Sequence, residues 1–87
     1  MKIFISGHKG YLGSEFVKKY ANDHEIIGYD HKDGEEILDY ENLKNKMQGV
    51  EQVVHLAAIP KPVAGKDFED YFRNNVQATL NIAKASL

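Results

Sequence analysis

Apolar residues enter this chain in short runs separated by spaced stretches. Ile3, Phe4 and Ile5 are contiguous within residues 2–6, the pattern of a strand covered on both faces. From Tyr11 to about residue 22, Leu12, Phe16, Val17, Tyr20 and Ala21 recur at helical spacing. Ile26 and Ile27 mark a second strand over residues 25–29, and a polar loop follows over 30–34. Residues 36–38 predict a brief third strand. Residues 40–47 predict a short helix through Leu43 and Met47, closed by Gly49 as a C-cap glycine. Val53, Val54 and Leu56 build another strand over 51–56, and both prolines fall in a loop over 57–66. Asp67 can then cap a last helix whose apolar stripe is Phe68, Tyr71, Phe72, Val76, Leu80 and Ala83.

Strands alternating with helices through short connections imply an α/β chain with a parallel sheet. Right-handed crossovers place the second strand beside the first and the next major strand on the first one's other side. The expected fold is a partial doubly wound parallel sheet, β-α-β-α-β-α, in one domain spanning residues 1–87. Composition agrees: 43% hydrophobic and 28% charged residues over 87 positions leave room for one modest core. A net charge of −2 lacks the basic surplus of a nucleic-acid binder. Without cysteine there is no disulfide framework, thiolate zinc site or cysteine nucleophile, and the four histidines show no ligand-like spacing. No apolar run reaches membrane-spanning length, and the N-terminus reads as a strand rather than a secretory leader. Neither a nucleic acid nor a membrane is therefore expected as a partner, and the expected compartment is the cytoplasm.

The chemistry concentrates in Gly7-His8-Lys9-Gly10-Tyr11-Leu12-Gly13, directly after one strand and opening a helix. A diphosphate needs unpaired backbone N–H groups and the positive end of a helix dipole, free of obstructing side chains. Gly7 permits the tight turn, Gly10 the close approach of backbone to phosphate, and Gly13 the packing of helix on strand. The competing reading is a plain βα turn, since seven glycines give such triplets by chance. Asp30 ends the second strand, 20 residues beyond Gly10, where a carboxylate can accept both ribose hydroxyls of an adenosine. Its alternative role is a turn cap. Lys9, with His31 and Lys32 near Asp30 in sequence, introduces cations suited to a 2′-phosphate. The expected ligand is thus an adenine dinucleotide, NAD first, with NADP as the alternative.

These residues carry a family resemblance. The run Ile5 to Gly13 resembles the N-terminus of the extended short-chain dehydrogenase/reductases, the NAD(P)-binding, Rossmann-like epimerases, dehydratases and reductases of nucleotide sugars. Val53-Val54-His55-Leu56-Ala57-Ala58 is similar to that family's fourth-strand signature. Asn75-Val76-Gln77-Ala78-Thr79-Leu80-Asn81 resembles its helix motif, with Ala78 in place of the usual glycine. The basic residue in the glycine loop is similar to the GDP-fucose synthase type, which uses NADP. The resemblance implies that Asp39 accepts the adenine amino group beside the Tyr40 backbone. It also implies that Leu56, Ala57 and Ala58 line the cofactor and that Asn75 supports the ends of the active-site strands. Each has a plainer reading: Asp39 as a helix cap, Asn75 as a structural amide, His55 as a buried strand histidine.

The resemblance covers the whole chain but only the first third or so of a typical family member. The family's catalytic pair is Tyr-x-x-x-Lys on a later helix. Tyr40 and Lys44 match that spacing, yet they follow the adenine side of the sheet, so no residue here is expected to be catalytic. The functional expectation is a truncated NAD(P)-binding portion of a nucleotide-sugar enzyme without a substrate domain. The alternative is a stand-alone nucleotide-binding or interaction module. An uncovered strand edge at residues 51–56 and the apolar stripe of the last helix predict a homodimer or strand-exchanged oligomer.

Overall fold

The computed structural model describes residues 1–57 and 65–87. Strand β1 (Lys2–Ser6) is the centre of a three-stranded parallel sheet ordered β2–β1–β3, with β2 at Glu25–Tyr29 and β3 at Gln52–His55. The register pairs Phe4 with Ile27 on one side and Val53 on the other. This is the predicted crossover arrangement. β1 is central because its apolar residues leave no polar face: Ile3, Phe4 and Ile5 are all buried. Helix α1 (Tyr11–Tyr20) makes the first crossover and α2 (Tyr40–Lys46) precedes β3. A helical stretch follows the last strand: α3 (Phe68–Tyr71), a π-helical turn (Phe72–Gln77) and α4 (Ala78–Ala85). Among the described residues no helix is long and apolar enough to cross a membrane.

One core lies between the sheet and the α2/α4 side. Phe4, Tyr29, Leu43, Met47 and Ile82 form its buried centre, with Ile27, Ile37, Val50, Val53 and Ala85 packed around them. Tyr29 ties this core to its surroundings. Its ring tilts against Phe4 at 5.7 Å, and its hydroxyl donates to the Glu36 carbonyl at 2.8 Å while accepting from Asn42 Nδ2 at 3.0 Å.

Three sequence expectations change. Residues 36–38 form a turn, not a strand, so the strand resembling the family's fourth is the third here. Side chains satisfy that segment's backbone: the Glu36 carbonyl accepts from the Tyr29 hydroxyl, and the Ile37 carbonyl from Asn81 Nδ2 at 3.2 Å. No ladder is needed. Leu12, expected in the apolar stripe of α1, is 65% exposed. The last helix buries Ala78, Asn81 and Ile82 instead of its predicted stripe, and Phe68, Phe72, Val76 and Leu80 stay exposed. The core takes Ile82 beside Leu43 and Met47, and Asn81 donates to the Ile37 carbonyl, which leaves the stripe facing outward on both sides of the π turn. The cap is as predicted, with Asp67 and Asp70 forming a reciprocal capping box at 3.0 Å in each direction.

Leu43 is fully buried among Phe4, Tyr29, Met47 and Ile82. Leu43→Ala should lower unfolding free energy by about 2–5 kcal/mol through lost transfer energy and the cavity left behind. Urea denaturation followed by circular dichroism would reveal it as a lower midpoint at unchanged slope.

Candidate functional site

The C-terminal ends of the three strands converge on one groove of about 460 Å³, lined among others by Gly7, Gly10, Asp30, Leu56, Ala57 and Asn74. Its floor is the glycine loop. Gly7 has φ +79°, and a Cβ there would lie 2.9 Å from the Ala57 nitrogen, so any side chain would be both strained and crowded. Gly13 is buried, and its Cβ would overlap the Gly7 carbonyl oxygen. Helix α1 therefore starts directly on the backbone of the turn. Gly10 is its N-cap in extended conformation, with no side-chain cap bond. The first-turn N–H groups of α1 are left for a ligand or water, at the positive end of the helix. Tyr11 and Leu12, both exposed, flank this terminus.

Asp30 closes the groove at the end of β2. It is 5% exposed, and each carboxylate oxygen accepts one backbone amide: Oδ2 from Lys9 at 2.9 Å, Oδ1 from Lys32 at 2.9 Å. Burial alone would raise its pKa, but these two bonds outweigh it, with help from His31 and His8, and hold the carboxyl below its usual range. Asp30 is therefore an anion at neutral pH with lone pairs to spare. It also caps a short 3₁₀ turn (His31–Asp33). That turn delivers Asp33, whose carboxylate ion-pairs with Lys9 Nζ and lies 3.3 Å from His8 Nε2. Asp33, by hydrogen bond and charge, raises the Lys9 pKa.

A second polar chain joins the strand ends to the last helix. Ser6 Oγ accepts from the Leu56 and Ala57 amides at 3.1 and 3.2 Å and lies 2.5 Å from His55 Nδ1. With both lone pairs engaged, the hydroxyl must donate to Nδ1. The ring hydrogen is then on Nε2, which donates to Thr79 Oγ1 at 3.0 Å, and Thr79 donates to the Asn75 carbonyl at 2.6 Å. Every hydrogen in this chain is thereby assigned. Burial depresses the His55 pKa. It is a neutral, structural histidine.

The structure thus brings Gly7, Gly10, Asp30, His31, Leu56 and Ala57 together around one groove. Lys9 joins them through its amide, while its ammonium turns to Asp33. His8 packs its ring over Gly28, where a Cβ would come within 2.5 Å of three ring atoms. Asp39 and Tyr40 are not part of this lining. The Asp39 carboxylate caps α2 by accepting from Asn42 N at 3.3 Å. Tyr40 borders a second hollow beside α3, with Lys84 Nζ 4.6 Å above its ring. Asn75 is half-buried in the π turn, and Ala58 lies outside the described residues. Several participants escaped sequence reasoning, among them Glu35, Glu36 and Lys66 in the groove lining. Ser6, Gly28 and Asp33 act through tertiary partners that no local pattern reveals. Asn74, beside the Asn75 of the helix motif, faces the groove instead of it. The only available signal was a glycine interrupting the apolar run Ile26-Ile27-Gly28-Tyr29.

A parallel sheet in this strand order, with a side-chain-free turn at a helix N-terminus and a carboxylate ending the second strand, defines a dinucleotide-binding half-fold. The chain belongs to the NAD dependent epimerase/dehydratase family, which matches residues 3–87. It is 30% identical to the L-arabinose 1-dehydrogenase (NAD(P)(+)) of Haloferax volcanii, covering 99% of this chain and 36% of that enzyme. It is also 30% identical to an uncharacterized UDP-glucose epimerase of Bacillus subtilis, covering 98% and 35%. The chain thus spans about a third of the length of the curated relatives it matches. Among solved structures, UDP-glucuronic acid 4-epimerase from Bacillus cereus, in complex with UDP-glucuronic acid and NAD, superposes with a TM-score of 0.85. Identity there is 29%, over 98% of this chain and 36% of that one. A short-chain dehydrogenase/reductase superfamily protein from Agrobacterium tumefaciens with bound NAD gives 0.82 at 25% identity, over 99% and 29%.

The His55 chain has a pH signature. Its folded pKa lies below the ordinary 6.5, so the unfolded chain takes up the proton first on acidification. Stability is then fully present above 6.5 and declines as pH falls toward the folded value. His55→Gln should flatten this slope. Urea titrations of both proteins between pH 8 and 5 measure the difference.

Proposed function

We propose that this chain is the adenine-dinucleotide half of an NAD-dependent enzyme acting on nucleotide sugars, an epimerase, dehydratase or reductase. The observation carrying this reading is the pairing of two unlike features on one groove: the uncapped α1 N-terminus on its glycine floor, and the buried, ionised Asp30 carboxylate. The first suits a diphosphate and the second a ribose diol. A cradle whose backbone packing leaves no room for a Cβ at Gly7 or Gly13 fits such a ligand. NAD, when bound, supplies the hydride-accepting ring. The residues of this chain bind and orient it: the first-turn amides at the diphosphate, Asp30 at the ribose, Leu56 and Ala57 along the opposite wall. Asp30 also favours NAD over NADP, because a buried carboxylate repels a 2′-phosphate. The NAD and UDP-sugars held by the Bacillus cereus relative support the substrate class.

Proton transfer to a sugar is not among this chain's roles. Tyr40 and Lys44, four apart on α2, have the spacing of a tyrosine–lysine pair, but Tyr40 borders the other hollow and lies under Lys84. Residues 1–87 should therefore bind the cofactor and turn over no sugar. Self-association belongs to the same proposal. β3 has no strand on its outer side among the described residues, and Phe68, Phe72, Val76 and Leu80 offer apolar surface nearby in the chain. Sedimentation velocity should detect a concentration-dependent dimer, and a monomer at all concentrations would refute that part.

Gly10→Val places a branched side chain in the groove lining. Gly10 has negative φ and its Cβ meets the Gly7 oxygen at 3.3 Å, so the fold should survive with that carbonyl shifted by a few tenths of an ångström. NAD binding by isothermal calorimetry should be lost in the variant while its far-ultraviolet spectrum is kept. Equal affinity in both proteins would remove the glycine floor from the site.

A further inference from the structure

We propose that Asp33 reinforces the preference for NAD over NADP that Asp30 favours, by neutralising the cation that would otherwise receive a 2′-phosphate. The inference rests on the dinucleotide reading above and goes beyond it, since the ribose-binding role falls to Asp30 alone.

Lys9 is held at both ends. Its backbone amide donates to Asp30 Oδ2 at 2.9 Å, and its ammonium is bound by Asp33 Oδ1. The first contact places Lys9 beside the carboxylate expected to carry the ribose. The second determines whether its charge is available there. Asp33 reaches Lys9 because Asp30 caps the 3₁₀ turn: Asp30 Oδ1 accepts the Lys32 amide, and the Asp33 amide returns to the Asp30 carbonyl at 3.0 Å. One turn therefore presents two carboxylates with separate tasks. Asp30 is buried and lines the groove, whereas Asp33 lies outside the lining and acts only through its neighbours.

The local charge balance shows what Asp33 contributes. Around the ribose end stand Asp30 and Asp33 against Lys9 and Lys32, with Lys32 Nζ on the Lys9 carbonyl at 3.1 Å. His8 and His31 lie 3.3 and 3.4 Å from Asp33 and Asp30. Glu35, the next carboxylate, is engaged by Lys46 at 3.6 Å. Lys9 and Lys32 offset Asp30 and Asp33 there. Removing the Asp33 charge leaves one surplus cation on a flexible stem next to the ribose carboxylate. Such a cation can form charge-assisted hydrogen bonds to a phosphate. Lys9 is half exposed in its present pair, and a solvated ion pair holds its partners weakly. The expected change in selectivity is therefore graded rather than absolute. Asp33 is a positioning residue for specificity and touches no cofactor itself.

The test measures dissociation constants for NAD and NADP by calorimetry on wild type, Asp33→Asn, Lys9→Met, and the double variant. Asn keeps the shape of the turn and removes only the charge. The expected result is a shift of about tenfold toward NADP in the ratio of the two constants for Asp33→Asn, the scale of one charge-assisted hydrogen bond on a wet surface. The shift should vanish in the double variant. An unchanged ratio in Asp33→Asn, with NAD still bound, overturns the Asp33 role and leaves the dinucleotide reading intact. A shift that persists without Lys9 overturns the mechanism through that lysine. If wild type binds neither dinucleotide, the function proposed above fails and this inference fails with it. Retention of the wild-type circular dichroism spectrum in each variant excludes misfolding as the cause of a change in ratio.

Discussion

The site depends on one close approach, that of Gly13 in the first turn of α1 to the carbonyl of Gly7. No Cβ fits between them. Because the helix can start on the backbone of the turn, its N-terminal amides reach the level of the strand ends instead of standing a side chain's thickness away. The left-handed conformation of Gly7 bends the chain sharply enough to allow this, and it brings the same residue against the Ala57 backbone. Three segments distant in sequence thereby share a space free of side chains. In a parallel sheet the C-terminal strand ends are where chain directions diverge, and the resulting crevice is where ligands fit.

Two polar hubs hold that crevice open, and both work through side-chain hydrogen bonds to backbone amides. Asp30 uses its carboxylate to fasten the glycine loop, through the Lys9 amide, and its own following turn, through the Lys32 amide. The bonds that offset its burial are the same bonds that keep it charged. Ser6 plays the corresponding part on the other side. It collects the Leu56 and Ala57 amides and orients His55, which passes the constraint to Thr79 on the last helix. A fully satisfied network of this kind rigidifies its surroundings, whereas loss of one member leaves buried donors without partners. The strand ends are thus pinned from both flanks while the groove floor stays bare.

Much of this was legible in the residue order. The contiguous Ile3, Phe4 and Ile5 could belong only to a strand buried on both faces, which made β1 central. The alternation of periods then implied the parallel crossovers, and the glycine spacing with Asp30 implied the groove. Capping by Asp67 was legible for the same reason, since a cap and its partner lie three residues apart. Residues 36–38 misled because the adjacent apolar pair Ile37 and Leu38 resembles a strand until the Glu36 and Ile37 carbonyls find Tyr29 and Asn81. The last helix misled because its apolar stripe is not the face that meets the core: Ile82 packs there and Asn81 bonds the Ile37 carbonyl, a partner that no periodic count can register.

What the amino-acid sequence determined by itself was therefore the local and the periodic: element types, strand centrality, the bare turn, and a carboxylate at the end of β2. These follow from backbone conformational preference and from the spacing of apolar residues, both encoded within a few positions. What only the tertiary structure decided was the pairing of polar groups across long separations. It turned the Lys9 ammonium onto Asp33, seated the His8 ring on Gly28, drew Ser6 into contact with His55, and left Asp39 capping α2 outside the groove lining. A side-chain hydrogen bond carries no periodic signature. Its partner is settled by which surfaces the sheet brings within 3 Å or so, and that is known only once the chain has folded.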